Sequence, residues 1–163
     1  GEEFDSPIMM PAFSHLNKVL KDSKKPMLEY ARAAKKLNTV NWVGMEPDDE
    51  YEEISQVGAD TIRIIKPFAD HKIILDQIDF AKKTGAVAVG VDIDHVPGTD
   101  GKYDVVDGYP MGPVMEEDLK KYVDHAGIPF VAKGVLSVQD AIKARNAGCQ
   151  AIVVSHLSWS YQK

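Results

Sequence analysis

Three ionisable side chains close apolar runs in this 163-residue chain, each where a strand would hand over to a loop. Lys133 ends Ile128-Pro129-Phe130-Val131-Ala132, His156 ends Ala151-Ile152-Val153-Val154-Ser155, and Asp92 ends the run from Ala86 to Val91. Lysine is almost never fully buried without a partner, so one closing an apolar β run implies a pocket that uses its charge. Asp92 and Asp94 fall on one face of their strand, with the small Ala88 and Gly90 behind them. They point either into a ligand site or toward a neighbouring lysine. Lys66, closing Thr61 to Ile65, is open to two readings: contact with an anionic ligand, or a pair with Asp92 or Asp94. His95 beside these aspartates has only generic metal-ligand spacing, and no metal site is assigned. His156 reads either as a general base or as a strand-end histidine satisfied locally. Cys149, in a Gly-Cys turn, reads as a small packing residue.

The elements that must position these residues alternate. Strands are predicted at 7–12, 39–44, 61–66, 86–93, 129–133 and 151–156, each a short, nearly continuous apolar run as in parallel strands covered on both faces. Helices are predicted at 26–37, 48–57, 71–83, 116–125 and 138–147. Pro26 and the acidic Asp48-Asp49-Glu50 suit first helical turns, and Ser137 reads as an N-cap. A weak repeat supports the pattern. Gly58, Gly85, Gly127 and Gly148 each stand between a helix and the next strand, where a left-handed stop is needed. Six strands and five helices in alternation predict a parallel α/β fold in a single domain over 1–163. One long connection, 94–115, is rich in Gly, Pro and Asp and reads as a lid or binding loop. The tail 157–163 departs from the repeat.

Bulk composition narrows the function classes. The chain is 44% apolar and 27% charged, an ordinary globular balance. A net charge of −6 gives neither nucleic acid nor an anionic membrane surface an attraction. The run from Ala86 to Val91 is too short to span a bilayer, and the acidic start carries no visible secretory signal. One cysteine excludes an internal disulfide, so a cytoplasmic setting is the expectation. No Gly-rich phosphate fingerprint follows the first predicted strand, where Pro11-Ala12-Phe13-Ser14-His15 stands. The regular Gly-Ala returns fit a (β/α) TIM-type barrel better. Such barrels need eight units, so this one reads as incomplete.

The stretch from Pro129 to Ser155 resembles the FMN-dependent α-hydroxy-acid dehydrogenase and oxidase family. The resemblance lies in Ala132-Lys133-Gly134, Ser137-Val138-Gln139-Asp140-Ala141, Ala147-Gly148-Cys149 and Ile152-Val153-Val154-Ser155. A looser likeness joins Phe4 to Ala12 to the family's first strand and Ala88 to Asp92 to its fourth. It implies FMN as cofactor and oxidation of a small-molecule 2-hydroxy acid to a 2-keto acid. Lys133 would stabilise negative charge at flavin N1 and O2, with Ala12 and Ser155 as further cofactor contacts. The candidate catalytic residues are His156, Lys133 and Asp92.

The sequence departs from the family in places. Its Ser-Asn-His-Gly-Gly-Arg element reads here Ser155-His156-Leu157-Ser158-Trp159-Ser160, so direct register puts Leu157 at the histidine position and Ser160 at the arginine position. Using His156 shifts the register by one and leaves Trp159 where arginine would stand. A Gln-Leu-Tyr strand end corresponds to Ile64-Ile65-Lys66, and an arginine falls near Thr99. The family's phosphate cradle follows strands seven and eight, so weak or absent activity is expected of an incomplete barrel. Open strand edges would promote homo-oligomers. Two alternatives remain: a non-catalytic, self-associating partial-barrel scaffold, and a phosphate-ligand isomerase or lyase using Lys133 and Asp92 as an acid–base pair.

Overall fold

The computed structural model describes residues 3–13, 25–96, 98 and 101–156. Among them the chain runs α1 (Pro26–Lys36), β1 (Asn41–Val43), α2 (Asp48–Gln56), β2 (Thr61–Ile65), α3 (His71–Lys83) and β3 (Ala88–Asp92). It continues through β4 (Val105–Val106), β5 (Tyr109–Pro110), α4 (Glu116–Ala126), β6 (Phe130–Lys133), α5 (Val138–Ala147) and β7 (Ala151–Val153). Strands β1, β2, β3, β6 and β7 form one sheet in that order, every pair parallel. This is part of a TIM-type barrel wall, with no closed barrel among the described residues.

Both sheet faces are covered, which is why the strands read as unbroken apolar runs. On one face Val43, Ile65, Val89, Val91 and Phe130 pack against Ile54, Ile74, Ile78, Leu119 and Tyr122 of the helices. On the other, Ile64, Ala88 and Val131 form a smaller cluster with Ala12, Trp42, Ile62 and Val153 against it. That second face carries the candidate site.

Local chemistry sets the helix limits. Asp70 accepts from the Lys72 backbone N–H, and Ser137 from that of Asp140 at 3.0 Å, so α3 and α5 begin where a side-chain cap is available. Gly127 and Gly148 end α4 and α5 at φ 61° and 95°, the left-handed stop that lets the chain turn back into a strand.

Two expectations are corrected. The strand predicted at 7–12 is not formed: among the described residues the backbone of this region joins the sheet through a parallel bridge from Phe13 to Val43, with Gly44 N–H donating to Phe13 O at 3.0 Å. Pro7 and Pro11 have no N–H to give to a ladder. The connection 94–115 is not loop throughout. It holds the antiparallel hairpin β4–β5, turned by Asp107 and Gly108 at φ 50° and 86°, as a tight primed turn requires. Phe68 bridges Met111 behind it, and Met111 is fully buried. The tail 157–163, with Leu157, Trp159 and Ser160, lies outside the described residues, as does Thr99.

Arg63 was not singled out by the sequence reading. It is buried on the helix-facing side of β2, with its guanidinium 4.2 Å from the Tyr51 ring centroid and 3.1 Å from Asp48 Oδ1. An arginine's planar, weakly hydrated head tolerates such a site better than an ammonium would.

Candidate functional site

Parallel strands deliver their C-terminal ends to one edge of the sheet. Here that edge gathers Lys66 after β2, Asp92 at the end of β3, Lys133 at the end of β6 and His156 beyond β7. Asp92 and Lys133 are direct partners in the β3–β6 register, so their side chains emerge side by side. Lys66 Nζ donates to Asp92 Oδ2 at 3.0 Å, and Lys133 Nζ to Asp92 Oδ1 at 2.9 Å. The pairing reading of Lys66 is thus realised, with Asp92 as its partner. Both ammoniums share one carboxylate that is only 2% exposed.

Electrostatics fix the roles these groups can take. Burial pushes the Asp92 carboxyl upward, but the Lys66 charge, then a hydrogen bond with Asp94 and then the Lys133 charge outweigh it and hold the carboxyl down at about 2. Asp92 is therefore a permanent anion near neutral pH, which suits an electrostatic part better than the proton-carrying half of an acid–base pair.

Two histidines flank this line, each backed by an aspartate. Lys66 Nζ lies 2.7 Å from His95 Nδ1, and an ammonium can only donate, so Nδ1 carries the lone pair. The ring proton is then on Nε2, which donates to Asp104 Oδ2 at 2.7 Å. Burial, followed by the Lys66 charge, keeps His95 below the usual histidine range despite Asp104. On the other flank His156 Nδ1 is 3.0 Å from Asp94 Oδ2, which leaves Nε2 to receive a proton. Gly134, at φ 90°, has no side chain where the Asp94 carboxylate lies.

Of the remaining predicted residues, Ala12 packs against Ile64, Ala88 and Val131 on the site face. Ser155 Oγ is buried without a hydrogen-bond partner. Burial pushes the Cys149 thiol up to about 11, so it stays an inert packing group. Asp104 was missed. It reaches the site only because the excursion after β3 folds back, and nothing in the local sequence announces that return.

The arrangement can hold a small electron-rich ligand. Lys66 uses two of its three N–H donors and Lys133 one, leaving buried donors to spare at the strand ends.

No curated protein matches the chain. Among solved structures, a mandelate oxidase variant with (S)-mandelic acid superposes with a TM-score of 0.79 at 24% identity, over 95% of this chain and 49% of that one. Another, carrying a monooxide FMN adduct, gives 0.65 at 28% identity over 79% and 41%. The chain spans about half the length of these mandelate oxidase chains. Residues 102–157 match the family described as FMN-dependent dehydrogenase, so in the segment holding Lys133 and His156, and in fold nearly throughout, this chain resembles that family.

Proposed function

We propose that the chain carries part of the site of an FMN-dependent oxidoreductase that converts a 2-hydroxy acid to a 2-keto acid. The observation that carries this reading is the pair of buried lysines sharing Asp92 at the strand ends of a fold shared with mandelate oxidase. When bound, FMN supplies the two-electron acceptor. The residues present fit it: Lys133 has N–H donors in reserve and Ser155 Oγ is a buried, unpartnered hydroxyl. Lys133 would stabilise charge gathering at the flavin's N1–O2 edge, with Ala12 and Ser155 beside it. His156 would take the substrate hydroxyl proton on Nε2 while Asp94 holds the ring.

FMN binding tests the reading. Mixing with the protein is expected to quench flavin fluorescence, and Lys133→Met to weaken binding about tenfold, the loss of one charge-assisted hydrogen bond. Unquenched flavin at high protein concentration removes the proposal.

The proposal extends to the setting of the chain. No described helix is long and apolar enough to cross a membrane, and the single cysteine fits the cytoplasm. With about half the matched length, the chain by itself would turn over substrate weakly or not at all.

A self-associating scaffold is the second reading, favoured by one observation. Leu136, Val138, Ile142, Ile152 and Val154 are all exposed around α5 and β7, and β7 pairs only with β6 among the described residues. Light scattering is expected to give a mass above one chain that rises with concentration. A monomer at every concentration would end this reading.

A further inference from the structure

We propose that Lys66 is the residue that binds the substrate carboxylate, an inference that rests on the 2-hydroxy-acid reading above. Lys66 is 7% exposed and its ammonium sits beside Asp92, yet that carboxylate is divided with Lys133. The other two carboxylates of the edge are engaged by histidines, Asp104 by His95 and Asp94 by His156. Among the described residues, the two ammoniums thus donate to one and the same carboxylate.

The donor count points the same way. An ammonium offers three N–H groups, and Lys66 gives one to Asp92 Oδ2 and one to His95 Nδ1. The third has no acceptor among the described residues, and a buried unmet donor is costly. A carboxylate supplies both the negative charge and the lone pairs. No arginine among the described residues lies at these strand ends: Arg32 is in α1, Arg145 in α5, and Arg63 is on the opposite face of β2.

His95 and Asp104 act as positioning residues. Asp104 fixes the proton on His95 Nε2, so the ring meets Lys66 as a neutral acceptor. It steers the ammonium without neutralising it. The two cations then divide the work, Lys133 toward the flavin and Lys66 toward the acid. This selects substrates whose carboxylate lies close to the carbon being oxidised, as in a short 2-hydroxy acid.

Oxalate is the probe, being a planar acid that cannot be oxidised by hydride loss, with neutral oxamide as control. Calorimetry with and without FMN is expected to show oxalate binding to the unaltered chain and none for oxamide. Lys66→Met is expected to weaken oxalate at least about tenfold, whereas Lys66→Arg retains most of the affinity. His95→Gln is expected to weaken it by a smaller factor. FMN quenching is read separately on each variant, and circular dichroism verifies the fold. Equal oxalate affinity in Lys66→Met and the unaltered chain overturns the inference. So does the absence of oxalate binding to the unaltered chain under both conditions. Lys66-dependent oxalate binding without flavin quenching would retain the carboxylate site and reject the flavin reading alone.

Discussion

Asp92→Ala is expected to cost about 3–5 kcal/mol of folding stability, the range for removing one partner of a buried charged group. The change leaves two ammoniums with side-chain exposures of 9% and 12% facing each other across the space the carboxylate filled. Attraction is lost and repulsion takes its place. Asp92→Asn preserves the shape but not the charge, and is expected to fall between. Adding Lys66→Met to Asp92→Ala removes the repulsion and recovers part of the loss. Urea unfolding followed by circular dichroism measures each step. A cost within about 0.5 kcal/mol, as for an ordinary surface change, would contradict the geometry.

The same residue sets an acid limb. Its folded carboxyl lies at about 2, below the ordinary aspartate value of 3.8, so ionisation favours the fold. The stabilisation is present above about pH 4 and drains away as pH falls toward 2. In Asp92→Ala that part of the pH profile is expected to vanish.

Gly90→Ala is the second large effect. Gly90 pairs with Val131 across β3–β6. An added Cβ would overlap the Val131 carbonyl oxygen and lie 2.9 Å from both Ile64 Cδ1 and Val131 Cβ. The first obstacle is backbone, which cannot rotate away. The expected cost is about 3 kcal/mol, the upper end of overpacking. An unchanged urea midpoint would mean that β3 and β6 are not packed this closely.

How far these residues could be foreseen depended on whether the deciding contact was local. Helices α3 and α5 have the limits predicted at 71–83 and 138–147, because the Ser137 cap and the Gly85 and Gly148 stops lie within a few residues of the helix ends. The strand ends bearing Lys66, Asp92 and Lys133 followed from apolar runs of the right length. The segment 7–12 forms no strand because Pro7 and Pro11 withhold ladder donors, despite its apolar content. The β4–β5 hairpin was hidden by the shortness of its strands, though Asp107-Gly108 is a strong turn signal. His95, Asp104 and Lys66 meet across a folded-back segment, and the buried Arg63 depends on Tyr51 and Asp48 arriving from another unit. Such meetings have no one-dimensional trace.

The strand order has a consequence for how the chain acquires its shape. Each member of the parallel sheet lies beside the member that precedes it, so no strand waits for a distant partner to emerge. Each doubling of a connection adds only about 0.6 kcal/mol of closure cost, so the wall can be laid down unit by unit as synthesis proceeds.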